Sequence, residues 1–222
     1  MATKLPRYGA KRVRCDRTTL YEVEGRRYPG VTKILSATKP AADRQALWRW
    51  RQSVGFEAAK QISGKASSAG TRLHKQIAAY LNQQVVAIPD DIYGYWQSIE
   101  PTLEHIEEVL LVEGAVWHSA GFVGFPDALV VYQGEICLCD WKTARKPKRS
   151  EWIQDYFLQI AAYRAAASQV YEGFGLRVEQ GLVAIALDQE PAQLFHVSMA
   201  DMDLHWRNFQ DRLHAYYRLA SY

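Results

Sequence analysis

The chain reads as an α/β protein: a central mixed sheet flanked by helices, preceded by a helical elaboration. Three observations lead there. Apolar runs of strand length gather between residues 109 and 141. A helical stripe of Tyr156, Ile160, Tyr163 and Ala167 follows. Two further strand-like runs, 182–187 and 193–197, come after it. Strands interleaved with helices define this class. At 222 residues and 48% hydrophobic, the chain has material for a sizeable core. It is expected to form one domain, with about 1–90 as the elaboration and about 91–222 as the core.

Taken in order, residues 18–28 suggest a short hairpin turning at Glu24-Gly25. Residues 31–37 and 41–54 are expected to be helical, the second entered after Pro40, whose fixed φ suits a helix start. Residues 56–83 read as one or two helices, loosened around Ser63-Gly64 and 67–70. A helix over 91–108 precedes strands at 109–117, 121–132 and 135–141. A helix over 151–171, the two later strands and a last helix over 200–219 complete the chain. It contains no repeats and no low-complexity segment.

The chemistry concentrates on the middle strands. Gln133-Gly134 separates two apolar runs and reads as a tight hairpin turn. If Tyr132 pairs with Glu135, paired residue numbers sum to 267, and Asp127 falls opposite Asp140. Opposed residues have Cβ atoms roughly 5 Å apart. Two carboxylates so close repel unless a proton or a cation lies between them. Side chains alternate along a strand, so Lys142 shares a face with Asp140. Two acids able to grip a hard cation, with a lysine beside them, suit metal-assisted attack on a phosphodiester. A plain surface hairpin is the competing reading, but Val123, Phe125, Leu129, Ile136 and Leu138 bracket these charges on the same side. Pro126 cannot donate a ladder hydrogen bond, so its strand is expected to be an edge or to begin there.

The pattern of Asp127, then Asp140-Trp141-Lys142-Thr143, then Gln159 and Tyr163 four apart, resembles the PD-(D/E)XK nucleases, in the wording of their RecB-like branch. Pro29-Gly30-Val31-Thr32, Ile34-Leu35, Leu47-Trp48, Gly70 with His74, Glu113 and Lys146-Pro147-Lys148 extend the resemblance to the mitochondrial genome-maintenance exonuclease group, over roughly residues 20–217. The short motifs are specific in their order and spacing. The resemblance implies the restriction-endonuclease-like core, in the order helix, three strands, helix, strand. It implies one or two Mg²⁺ or Mn²⁺ ions held by His74, Asp127, Asp140 and the carbonyl of Trp141, with Lys142 acting on the attacking water. It makes Glu113 a further acid of the site.

From the residues alone, His74 sits at the margin of the stripe Leu73, Ile77, Ala78 and Leu81, where a core histidine is the ordinary outcome. Glu113 is equally readable as an edge-strand charge. Gln159 lies beside the buried stripe, where its amide can orient Lys142 or a phosphate. Tyr163 is mostly core. A neutral imidazole with two carboxylates suits Mn²⁺ at least as well as Mg²⁺.

The net charge of +3 is only mildly basic, so nucleic-acid binding must come from local clusters. Arg145, Lys146, Lys148 and Arg149 form a basic loop leaving the site, a candidate phosphate clamp. Trp48, Arg49, Trp50 and Arg51 alternate aromatic and basic residues on a helix. The tryptophans point roughly 200° apart, so one is expected in the core and the other free to stack on a base. The resembled group also implies that this helical region arches around single-stranded DNA. Cys15, Cys137 and Cys139 do not make a disulfide framework and are too few for a four-cysteine iron–sulfur site. Cys137 and Cys139 are expected to be buried, facing away from the acids. No run of 18 apolar residues predicts a membrane span. Residues 1–6 lack an apolar signal core, and 4–17 lack the apolar face of a transit peptide, so the cytosol, a nucleoid or a viral host's cytosol is expected. The expectation is a monomeric, metal-dependent exonuclease on linear single-stranded DNA. Its alternatives are a structure- or sequence-specific endonuclease on the same core and a non-catalytic single-strand-binding module.

Overall fold

The structure, a computed structural model, describes residues 4–15 and 18–220. Residues 1–3 and Asp16, which enter the leader argument, lie outside the described residues. Strands β1 (Lys11–Cys15), β2 (Thr18–Val23) and β3 (Arg26–Tyr28) form a small antiparallel sheet. Glu24 and Gly25, at φ +49° and +75°, make the left-handed turn expected between the last two. The sequence does not predict β1. Its run of basic residues is mostly exposed, and pairing with β2 is what extends it.

Helices α1 (Val31–Ala37) and α2 (Ala41–Val54) fall where expected. Helix α3 (Phe56–Leu81) is unbroken. Each glycine costs a helix about 1 kcal/mol. A 26-residue helix anchored by buried Leu73, Ile77 and Leu81 tolerates that. A single 3₁₀ turn leads into α4 (Tyr93–Glu104). This helix stops at Glu104 rather than near 108, because Ile106 and Glu108 pair with a later strand and join β4 (Ile106–Val112).

The two long strands expected next are each interrupted. Glu113, at φ +50°, turns the chain from β4 into β5 (Val116–His118). Phe125-Pro126-Asp127 separates β6 (Phe122–Gly124) from β7 (Ala128–Tyr132). The chain continues through β8 (Glu135–Ala144), α5 (Gln154–Val170), β9 (Gln180–Leu187), β10 (Glu190–Val197) and α6 (Met199–Ala220).

The central sheet has the order β10-β9-β8-β7-β4, and β8 and β9 run parallel within it. Parallel neighbours need a crossover, which α5 supplies. The hairpin register is the expected one, from Tyr132 opposite Glu135 to Ala128 opposite Cys139. β7 is an inner strand, not an edge. Pro126 is tolerated because the ladder begins after it. One face of the sheet packs Leu129, Leu138, Val183 and Ile185 against α1, α5 and α6. The other packs Val130, Cys139, Trp141 and Ala184 against α3 and α4. Among the described residues, no helix is long and apolar enough to cross a membrane.

Candidate active site

Alternation along β8 decides which groups meet. Leu138, Asp140 and Lys142 point to the α5 side, while Cys137, Cys139 and Trp141 point to the α3 side. Asp140 is 1% exposed. Its Oδ1 accepts a hydrogen bond from Gln159 Nε2 at 3.0 Å, and the same nitrogen lies 2.8 Å from the Tyr163 hydroxyl. Gln159 therefore holds the carboxylate paired with Lys142, where the sequence reading offered its amide to the lysine or to a phosphate. Oδ2 of Asp140 is buried and is paired with the Lys142 ammonium, which abuts it.

Asp127 occupies the rung just beyond the last pair of the ladder, and its side chain takes over the pairing. Oδ2 accepts the backbone N–H of Trp141 at 2.8 Å, and Oδ1 lies 3.1 Å from His74 Nδ1. Its carbonyl accepts the N–H of Glu113 at 3.2 Å. In a strand, a residue's N–H and C=O leave on the same edge. The carbonyl of Trp141 therefore opens toward the flank where β7 has stopped pairing.

His74 arrives from the opposite face of the sheet. It comes near because α3 crosses β8 closely at Gly70, one turn earlier: a Cβ there would sit 3.3 Å from Thr143 Oγ1. Glu113, His74, Lys142 and Thr143 line one cleft of about 700 Å³. Arg7, which the sequence reading missed, donates through Nε to the carbonyls of Val112 and Glu113 at 3.1 Å and braces this turn. Tyr156 was also missed, being read only as part of the buried stripe. Its ring centroid lies 5.1 Å from Lys142 Nζ. Its position three residues before Gln159 was the available signal.

The electrostatics follow from burial. Loss of water raises the Asp140 pKa to about 6, with Asp127 adding to the rise and Lys142 opposing it. Burial works to lower the Lys142 pKa, but Asp140 and Asp127 more than offset it, so the ammonium is held above its ordinary range. His74 is raised on balance: burial opposes its charge, and the bond and charge of Asp127 favour it.

Among the described residues, no three His, Cys, Asp or Glu side chains converge as a ready-made metal cage. Two features nevertheless fit a hard divalent cation. One is the buried Asp140 carboxylate, met by the Gln159 amide on one oxygen and the Lys142 ammonium on the other. The other is a donor set of carboxylates, imidazole and carbonyl. Cys137 and Cys139 are fully buried free thiols, as expected, with sulfurs 3.8 Å apart.

None of the nucleic-acid candidates lines the cleft that holds Glu113, His74 and Lys142. No residue of α2 is buried. Trp48 is 52% exposed and Trp50 half-buried, so neither belongs to the core, contrary to the expectation for one of them. No side chain of α2 is buried, so neither tryptophan is claimed by the core. Arg49 and Arg51 are exposed beside them. Arg145, Lys146 and Arg149 are exposed, while Lys148 is held by Gln193, which bonds both its N–H and its carbonyl. Arg145 lines a neighbouring cleft of about 600 Å³ with Lys65 and Arg72, against another face of α3.

No family model matches the chain. Two curated relatives align over 85% of it, both called mitochondrial genome maintenance exonuclease 1. The Xenopus tropicalis protein is 33% identical over 201 residues and the human protein 30% over 204. The chain spans 57% and 58% of their respective lengths. Among solved structures, a protein from Eubacterium rectale is 12% identical with a TM-score of 0.49, over 73% of each chain. The sequence likeness and the mixed sheet flanked by helices agree with one another: the chain is related in sequence to the mitochondrial genome maintenance exonucleases over 85% of its length, on a fold of the kind the PD-(D/E)XK resemblance implied.

Proposed function

We propose that the protein is a divalent-metal-dependent exonuclease that hydrolyses linear single-stranded DNA from a free end. The observation that carries this reading is the buried Asp140 carboxylate, with Lys142 paired to its Oδ2, on the rung beside Asp127 and its His74 contact. The relatives are named as exonucleases, which supports the same class of reaction.

Asp127, Asp140, His74 and the carbonyl of Trp141 would hold one or two Mg²⁺ or Mn²⁺ ions. Such an ion lowers the pKa of a bound water and offsets charge on the phosphoryl oxygens. Gln159 keeps Asp140 in one orientation. Lys142, paired with Asp140, would orient or deprotonate the attacking water and stabilise charge developing at phosphorus. Glu113 faces the same cleft as a further acid. Trp48, Trp50, Arg49 and Arg51 on the exposed α2 serve as a stacking and phosphate-binding surface, with Arg145, Lys146, Lys148 and Arg149 on the loop after β8. The proposal takes the enzyme as a monomer of the cytosol or nucleoid.

The test is a gel assay with matched linear and circular single strands in Mg²⁺, in Mn²⁺ and with chelator. The expected result is cleavage of the linear strand only, abolished by chelation. Equal rates on both forms would replace the exonuclease with an endonuclease. Tight strand binding without cleavage under any metal would leave a binding module.

A further inference from the structure

Tyr156 and Gln159 stand three residues apart on α5, so their side chains leave the same face of the helix. Gln159 reaches Asp140, and Tyr156 reaches Lys142. One helix face therefore contacts both charged groups that alternation places on this side of β8. The lysine side chain is only 18% exposed, with the carboxylate oxygen of Asp140 and the ring of Tyr156 against its ammonium. Lysine carries a point charge on a flexible four-carbon stem. An ion pair limits how far that charge lies from the carboxylate but leaves its direction free. A ring face 5.1 Å away supplies the missing constraint, since a cation is drawn over the ring and not to its edge.

We propose that the aromatic face of Tyr156 is a positioning element for Lys142, fixing where its ammonium stands in the cleft, and that the ring and not the phenolic hydroxyl carries this role. The contact does not depend on the nuclease reading. Its consequence for turnover rests on that reading.

The test compares Tyr156→Phe, Tyr156→Leu and Tyr156→Met with wild type, each checked for its melting temperature. Two readouts are taken: kcat and KM on a labelled linear single strand in Mn²⁺, and the proton shift of the Lys142 CεH₂ group in metal-free, ¹³C-lysine-labelled protein. The lysine signal is identified by its loss in Lys142→Met. A desolvated cation–ring contact predicts about a tenfold loss of kcat or more in the Leu and Met variants, with KM little changed. Tyr156→Phe restores most of the rate. The lysine signal is moved upfield by the ring in wild type and Tyr156→Phe, and returns to its ordinary position in the other two. The Met variant stands in if Tyr156→Leu does not fold.

Wild-type kcat in either aliphatic variant overturns the proposal. So does a Phe variant as impaired as they are, which would make the hydroxyl the acting group. If wild type cleaves no strand at all, the nuclease reading fails separately, and the lysine shift still decides the contact: its presence supports the placement and its absence refutes it.

Discussion

Asp140 has one oxygen held by Gln159 and the other, Oδ2, paired with the Lys142 ammonium. Burial nevertheless raises its pKa to about 6, so its charge costs more in the metal-free fold than in the unfolded chain. The sign follows from linkage. The stability contributed by the protonated carboxyl is complete below the unfolded value of about 4 and is lost as pH rises through about 6. The stability of metal-free Asp140→Asn relative to wild type should therefore rise between pH 4 and pH 8, on top of a constant cost for leaving Lys142 unpaired. Melting curves across that range check it, and a difference that does not change with pH would contradict the raised pKa. On the proposed metal reading, Mn²⁺ affinity should climb from pH 5 to pH 8 as Asp140 and His74 give up protons. Calorimetric titration at several pH values measures this, and a flat profile would remove these two groups from the ligand set. Lys142→Met should abolish cleavage yet keep Mn²⁺ affinity or tighten it, since it frees Oδ2 of Asp140. Lost affinity would mean that the lysine organises the acids instead of the water.

At the scale of elements, the site depends on how closely helices approach strands. Gly124, at the end of β6, lies against the ring of Tyr163: a Cβ there would sit 2.4 Å from it. Tyr163 is buried and bonded to Gln159, so the ring cannot move alone. Gly124→Ala should destabilise the protein by about 1–3 kcal/mol through overpacking and lower activity through Gln159. Thermal unfolding with a rate measurement tests both, and a neutral substitution would show that α5 yields easily. Gly70 is less tight, at 3.3 Å from Thr143 Oγ1, but a branched side chain there must lift α3 off β8. These close approaches are not legible in a sequence. Gly70 and Ser67 read as places where a helix loosens, whereas the intact helix uses Gly70 to come near the sheet and bring His74 to Asp127.

At the scale of the molecule, α2 and most of the first half of α3 carry exposed side chains, in contrast to the packed sheet and its other helices. Nothing in the fold explains two tryptophans there. Trp48→Ala should accordingly leave the melting temperature unchanged while weakening single-strand binding roughly tenfold. Fluorescence anisotropy with a labelled oligonucleotide measures it. Unchanged binding would remove α2 from the strand's path, and a lowered melting temperature would show that Trp48 is structural after all.

Much of this protein is local and therefore written in its sequence. Strand alternation with the Gln133-Gly134 turn determines the register that sets Asp127 beside Asp140 and Lys142 on their face. Helical periodicity places α1, α2 and α5 closely. What needed the tertiary structure depends on non-local partners. β1 exists because β2 pairs with it, and Ile106 becomes strand because β7 is there to bond it. Gln159 takes Asp140, and Tyr156 takes Lys142, because the crossover from β8 to β9 lays α5 across that face of the sheet. Periodicity says which face of an element is apolar. It cannot say which other element will lie on that face, and the partners of the charged groups are decided there.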